Sequence, residues 1–155
     1  MYIYRPARIK DYPSMLQVLE TANMHHIPSK EVPKLDWKHC FVATNKKGKI
    51  VGMSGWEPVD KIICKTTLMA VLPECKGFGV GNTLQTIRMI AAYQHGFEFL
   101  ITNADRPHAI AWYKKNFGYT EIGKLSKEHE FGLPDVHEWT TLKTNLKEWY
   151  EGTPQ

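Results

Sequence analysis

Thr66-Thr67-Leu68-Met69-Ala70-Val71-Leu72-Pro73-Glu74-Cys75-Lys76-Gly77-Phe78-Gly79-Val80-Gly81-Asn82 decides how the rest of the chain is read. The stretch opens as an apolar, β-branched run and stops at Pro73, which has no N–H to give a sheet ladder. Three alternating glycines follow, and a helical pattern opens at Asn82-Thr83-Leu84. Strand, glycine turn and helix start gather unpaired backbone N–H groups at the positive end of a helix dipole. Such a place holds phosphate without a cationic side chain. A Cβ in the turn would keep a bulky anion off the backbone, which is what glycine avoids. Two other glycine loops fail on spacing. The dinucleotide fingerprint needs glycine where Asn82 stands, and the nucleotide P-loop needs Lys-Ser/Thr where Gly81 is followed by Asn82-Thr83. A plain strand-to-helix turn rich in glycine is the alternative that further motifs must exclude.

Working outward, the 155 residues suit one domain with a proper core. A hydrophobic content of 43% and a charged content of 23% are those of a globular chain. No apolar run approaches the roughly 20 residues of a membrane helix, and Met1-Tyr2-Ile3-Tyr4-Arg5-Pro6 lacks the apolar region of a signal peptide. Cys40, Cys64 and Cys75 are widely spaced, with no C-x-x-C pair, so reduced thiols in a cytoplasmic protein are expected. The net charge of +4 is mild and its lysines are scattered. No basic patch interleaved with aromatics points to nucleic acid, and nothing points to a membrane partner.

Tyr2 to Arg8 reads as a first strand, and Asp11 as the N-cap of a helix from Tyr12 to about Ala22. Residues 23–33 carry two prolines and the adjacent His25 and His26, a loop whose paired histidines diverge too far to share a metal. Cys40–Thr44 and Ile50–Trp56 form a hairpin around Asn45-Lys46-Lys47-Gly48-Lys49. Gly52 and Gly55 inside the second strand imply a bulge or a close backbone approach. Glu57-Pro58-Val59-Asp60 turns the chain into the strand ending at Val71, completing an antiparallel meander. A helix from about Gly81 to Gln94 sets Leu84, Ile87, Met89, Ile90 and Ala91 on its apolar side, and Gly96 stops it. Phe97–Thr102 follows as a buried strand, parallel to the one ending at Val71 because a helix crosses between them. Pro107 starts a helix that ends near Phe117-Gly118, and two strands, from Tyr119 and from Val136, close the domain. The expected domain spans residues 1–143, and 144–155 form a tail anchored by Trp149.

The glycine stretch resembles the pyrophosphate loop of the GNAT superfamily, the acetyl-CoA-dependent N-acyltransferases, whose pattern is Gln/Arg-x-x-Gly-x-Gly/Ala after a Val-x-Pro-like strand end. Here it reads Lys76-Gly77-Phe78-Gly79-Val80-Gly81 after Val71-Leu72-Pro73. Lysine keeps the charge of the first position but not the planar fork of arginine. Ala109-Ile110-Ala111-Trp112-Tyr113-Lys114-Lys115-Asn116-Phe117-Gly118-Tyr119 is similar to the second family signature, Ala-x-x-x-Tyr-x-Lys-x-Gly-Phe. It departs by one extra residue before Gly118, by Tyr119 for phenylalanine, and by Arg106 where the family carries asparagine, a contact that Asn103 is placed to take over. The resemblance implies an α/β (α+β) GNAT-like fold. Its mixed sheet would have about seven strands, an N-terminal antiparallel meander splayed from a C-terminal parallel strand and hairpin, with about four flanking helices.

The resemblance further implies acetyl-CoA as cofactor, no metal, and transfer to a primary amine of a small molecule by direct attack in a ternary complex. Pantetheine would pair with backbone around Met69, Ala70 and Val71, and the diphosphate would rest on N–H groups from Lys76 to Asn82, with Asn103 and Arg106 nearby. Tyr113 takes the position of the family's general acid toward the coenzyme sulfur. A phenol with a reference pKa of about 10 stays protonated at neutral pH and so suits that task. Lys65-Thr66-Thr67 lacks the strand glutamate that several members use as base. Glu57, Asp105, His25 and His26 are the candidate bases, acting directly or through water; histidine has the most suitable intrinsic pKa, and Glu57 sits nearest the expected active face. His25, His26 and Trp56 are expected acceptor contacts. Glu128-His129-Glu130 and His137-Glu138 do not match H-E-x-x-H and read as hairpin residues, at the acceptor rim or at a homodimer contact. Two other functions stay open: an acyl-CoA-binding sensor without turnover, and transfer to a protein amine.

Overall fold

A computed structural model describes residues 1–22, 35–128 and 132–152. In chain order it forms β1 (Ile3–Pro6), α1 (Tyr12–Thr21), β2 (Cys40–Thr44), β3 (Ile50–Pro58), β4 (Ile63–Val71), α2 (Val80–Gln94), β5 (Phe99–Ala104), α3 (Pro107–Phe117), β6 (Thr120–Ser126), β7 (Glu138–Asn145) and α4 (Leu146–Gly152). The seven strands share one mixed sheet in the order β1-β2-β3-β4-β5-β7-β6. β4 and β5 run parallel, from Ile63 opposite Phe99 to Lys65 opposite Ile101. The described pairs β1–β2, β2–β3, β5–β7 and β6–β7 are antiparallel. This is the mixed seven-stranded α/β architecture expected from the sequence. The His25–His26 loop, His129, Glu130 and Phe131 lie outside the described residues.

The chain forms two compact units, residues 1–57 with 67–88, and residues 58–66 with 89–155. The first packs Met15, Val18 and Leu19 of α1, Val42 and Met53 of the sheet, and Val80 and Leu84 of α2, all at 2% exposure or less. Gly52 is a point of close approach: a Cβ there would lie 3.1 Å from Leu84 Cδ1 and 3.2 Å from Val80 Cγ1. The irregularity in register falls beside it, between Ala43 and Thr44. In the hairpin turn, Asn45 Oδ1 accepts from the N–H groups of Lys47 and Lys49, and Gly48 adopts φ +83°.

Asp11 does not cap α1. Its backbone is helical and its side chain makes no cap hydrogen bond to the helix. The carboxylate instead accepts from Arg5 Nη1 at 2.7 Å and Nη2 at 3.0 Å, and from the Arg8 N–H at 2.7 Å. A charged, forked donor outcompetes the neutral amides at the helix start. The buried side of α2 also differs from the expected apolar stripe. Gln85 and Arg88 are fully buried, whereas Ile87 and Ile90 are half-exposed.

In the second unit, Leu100, Leu142 and Leu146 are wholly buried, with Phe117 and Tyr119 at 3%. Residues 144–152 belong to β7 and α4 and are not a tail hung on Trp149. β7 continues to Asn145 and α4 follows, held by the buried Leu146, whose N–H donates to Glu98 O at 2.9 Å. Tyr150 adds a ring stack on Tyr93 with centroids 4.5 Å apart.

Candidate functional site

The glycine loop begins where β4 ends. The Leu72 N–H donates to Val51 O at 2.8 Å, and Pro73–Cys75 make one 3-10 turn. Gly77 and Gly79 then adopt φ +88° and +80°, a region that side chains with a Cβ rarely enter. Gly81 already belongs to the first turn of α2. The first bond closing that helix runs from the Thr83 N–H to Gly79 O at 3.0 Å. Among the described residues, the N–H groups from Gly77 to Asn82 therefore meet no acceptor. Lys76, Phe78 and Asn82 are exposed, and Val80 is buried to fix the turn from below. A row of free donors at the start of a 15-residue helix fits a diphosphate by its donor chemistry alone. Upstream on β4, Ala70 is buried, while Met69 and Val71 are half-buried.

Tyr113 lies in the last half of α3 at 8% exposure. Its ring meets Tyr119 edge-on at 5.1 Å and Trp112 at 4.9 Å, so both flanking aromatics of the second signature fix its orientation. Its hydroxyl donates to nothing among the described residues. Gly118 ends the helix in the left-handed conformation, φ +67°, and returns its N–H to Tyr113 O. The glycine of the signature is therefore a C-cap requirement.

The remaining sequence candidates fall in varied surroundings. Glu57 is half-buried near the end of β3. Trp56 beside it is 3% exposed and stacked on His39 at 4.5 Å, which leaves His39 as the more accessible ring of the pair. Asn103 Oδ1 accepts from Thr141 Oγ1 at 2.7 Å, and Arg106 is exposed at the N-cap of α3. Asp105 is already engaged as an acceptor: Oδ2 takes Lys127 Nζ at 2.9 Å and the Leu133 N–H at 2.7 Å. Lys127 also donates to Leu133 O and lies over the Trp139 ring. His137 and Glu138 line a cavity of about 680 Å³ in the second unit, between Pro107, Ile110 and Lys114 of α3 and Glu121 and Lys124 of β6.

Three polar groups are not foreseeable from motif reading. Arg88 and Gln85 lie buried on α2, and Thr67 Oγ1 on β4 is a buried hydroxyl with no hydrogen bond among the described residues. A signal for the first pair does exist: positions 85 and 88 share a helix face with Leu84, Ala91 and Ala92. No group of three or more potential metal ligands occurs among the described residues. No described helix is long and apolar enough to cross a membrane.

Solved structures with this fold include the ribosomal-protein-S18-alanine N-acetyltransferase of Escherichia coli, with a TM-score of 0.76 at 15% identity, covering 94% of each chain. Ard1 of Thermoplasma volcanium aligns with a TM-score of 0.75 at 18% identity over 93% of this chain and 97% of its own. A GNAT superfamily phosphinothricin acetyltransferase of Sinorhizobium meliloti, solved in complex with AcCoA, aligns at 0.73 and 16% identity, covering 99% of this chain and 93% of its own. No curated protein sequence gives a significant match. The model of the acetyltransferase (GNAT) domain matches residues 36–121, a span that holds the glycine loop, β5 and the whole tyrosine signature, and the chain belongs to that family.

Proposed function

We propose that this protein is an N-acetyltransferase that moves the acetyl group of acetyl-CoA to a primary amine of a small molecule by direct attack in a ternary complex. The observation that carries this reading is the row of N–H groups from Gly77 to Asn82, unengaged among the described residues, with Gly77 and Gly79 in it held at positive φ. Acetyl-CoA would supply the acyl thioester. The loop amides hold its diphosphate, with Lys76 adding an exposed charge beside them, and the backbone of Met69, Ala70 and Val71 receives the pantetheine. Asn103 and Arg106 serve the same cofactor from the end of β5 and the start of α3.

In the transfer step the amine nitrogen bonds to the acetyl carbon while the carbon–sulfur bond breaks. Glu57 takes the proton shed by the amine, and Tyr113 gives its proton to the departing thiolate. The Met69 N–H polarises the thioester carbonyl. His25 and His26 contact the acceptor, and the buried Trp56 supports the His39 ring stacked on it. The buried free thiols of Cys40, Cys64 and Cys75 accord with a cytoplasmic setting.

Thiol release from acetyl-CoA over a panel of amines tests the assignment. Tyr113→Phe should lower kcat by about 10²–10⁴-fold with coenzyme A affinity unchanged. Acyl-CoA binding without turnover is the second reading, favoured by the absence of a carboxylate on β4 and the engagement of Asp105. Coenzyme A binding with no thiol release for any amine, protein N-termini included, would establish it. No coenzyme A binding would remove both readings.

A further inference from the structure

Arg88 and Thr67 both border Gly55 of β3, one at its carbonyl and the other where a Cβ would stand; among the described residues the guanidinium has no negative partner and the hydroxyl no hydrogen bond. Arg88 is 1% exposed. Its Nη1 donates to Gly55 O at 3.1 Å, its Nε to Gln85 Oε1 at 3.0 Å, and its Nη2 to the same Gln85 oxygen and toward Met69 Sδ at 3.8 Å. Every one of these acceptors is neutral, and no ion pair of Arg88 occurs among the described residues. Hydrogen bonds are thus satisfied while the charge is not, an arrangement that costs stability unless something negative comes to it.

On the side of Gly55 where a Cβ would stand, the first atoms met are Thr67 Oγ1 and Cys40 Sγ. Thr67 Oγ1 is the one buried side-chain oxygen or nitrogen among the described residues that lacks a hydrogen bond. The thiol cannot serve as counter-charge, because burial pushes Cys40 up to about 12. Asp36, whose backbone oxygen accepts the Cys40 thiol, is exposed and its carboxylate caps the Lys38 N–H. Thr67 as a whole is only half-buried, and no bond holds its hydroxyl inward. Rotation about Cα–Cβ can therefore present the hydroxyl to a ligand without breaking any hydrogen bond.

We infer that the acceptor is a primary amine carrying a carboxylate, whose oxygen takes the Thr67 O–H within the field of Arg88. The inference rests on the acetyltransferase reading and sharpens its substrate class. A carboxylate answers both deficits at once, since it accepts from a hydroxyl and neutralises a guanidinium. A polyamine or an aminoglycoside answers neither and is repelled by Arg88 at short range in a poorly screened interior. Arg88, fully buried, acts through its charge and as the support of Gly55; Thr67 makes the contact.

The test compares amines bearing a carboxylate with their carboxamide and decarboxylated counterparts, in the wild-type chain, Thr67→Val and Arg88→Met. Wild type should favour the carboxylate in kcat/KM by about tenfold or more, and both variants should bring the ratio toward unity without changing coenzyme A affinity. Thr67→Val should also raise the melting temperature of the free protein, since it removes an unpaired buried hydroxyl at constant shape. Equal or better use of the carboxamide, or a preference that survives in both variants, overturns the inference. If wild type binds coenzyme A but acetylates nothing, the enzymatic reading fails and the site is judged by melting temperature. A rise with the carboxylates but not the carboxamides, lost in Thr67→Val, still supports an anion site there, and no such rise overturns it.

Discussion

Asp11 holds three donors at once, two from the Arg5 guanidinium and one from the Arg8 backbone, with its side chain 6% exposed. The Arg5 hydrogen bonds, aided by the Arg8 N–H, keep the carboxyl below its ordinary value of 3.8. A depressed folded-state value gives stability that is fully present above the unfolded pKa and lost as pH falls through the folded one. Asp11→Asn should therefore cost about 1–3 kcal/mol at neutral pH and flatten the acid limb of stability below pH 3.8. Urea midpoints measured from pH 7 down to about pH 2 check both parts, and an unaltered acid limb would refute the assignment. At this scale the sequence was least legible. Asp before a helix reads as a cap, and only the fold brings the forked Arg5 within reach. Arg88 and Gln85 were hidden for a similar reason, because a periodicity count places charged residues on the wet face by rule. Thr67 looked like an ordinary β-branched strand residue, and its lack of a partner is a fact of tertiary packing.

Elements were far more legible, because turn chemistry is local. β4, the glycine loop and α2 follow from Pro73, three glycines and the first helical residues, all within one short stretch. The glycines are nonetheless unequal. Gly77 and Gly79 sit at positive φ in open space, whereas Gly81 lies in a helical turn, where an added Cβ would meet Val71 Cγ2 at an ordinary 3.9 Å. Gly79→Ala should thus destabilise the fold by about 1–2 kcal/mol. Gly81→Ala should leave stability unchanged or raise it by up to about 1 kcal/mol, yet weaken coenzyme A binding if the diphosphate approaches the backbone there. Paired melting and titration measurements separate the two effects, and equal losses of stability would contradict the difference in backbone conformation. α4 was the element least visible in advance. Trp149 draws attention as the large residue, but Leu146 is the one at 0% exposure. Leu146→Ala should cost about 2–5 kcal/mol in denaturant unfolding, and a loss much below that would mean the last turn does not belong to the core.

For the whole molecule, a ligand that binds only the folded chain raises its stability by mass action, about 2.7 kcal/mol at a hundredfold excess over Kd. A chain of this length should then melt about 5–10 °C higher with coenzyme A. The free donors from Gly77 to Asn82 are backbone N–H groups suited to phosphate oxygens, and Lys76 is the only cationic side chain within that turn. Stabilisation should accordingly follow the diphosphate and not the thiol arm: coenzyme A should shift the transition, and pantetheine at equal concentration should shift it little. Lys76→Ala should reduce the effect of coenzyme A only slightly, by about 0.3–1 kcal/mol, because an exposed lysine is well screened by water and salt. Equal stabilisation by pantetheine, or its complete loss in Lys76→Ala, would show that main-chain donors are not what grips the cofactor. In that case the glycine stretch would be a turn that merely starts a helix, and the assignment of acetyl transfer would have to stand on Tyr113 alone.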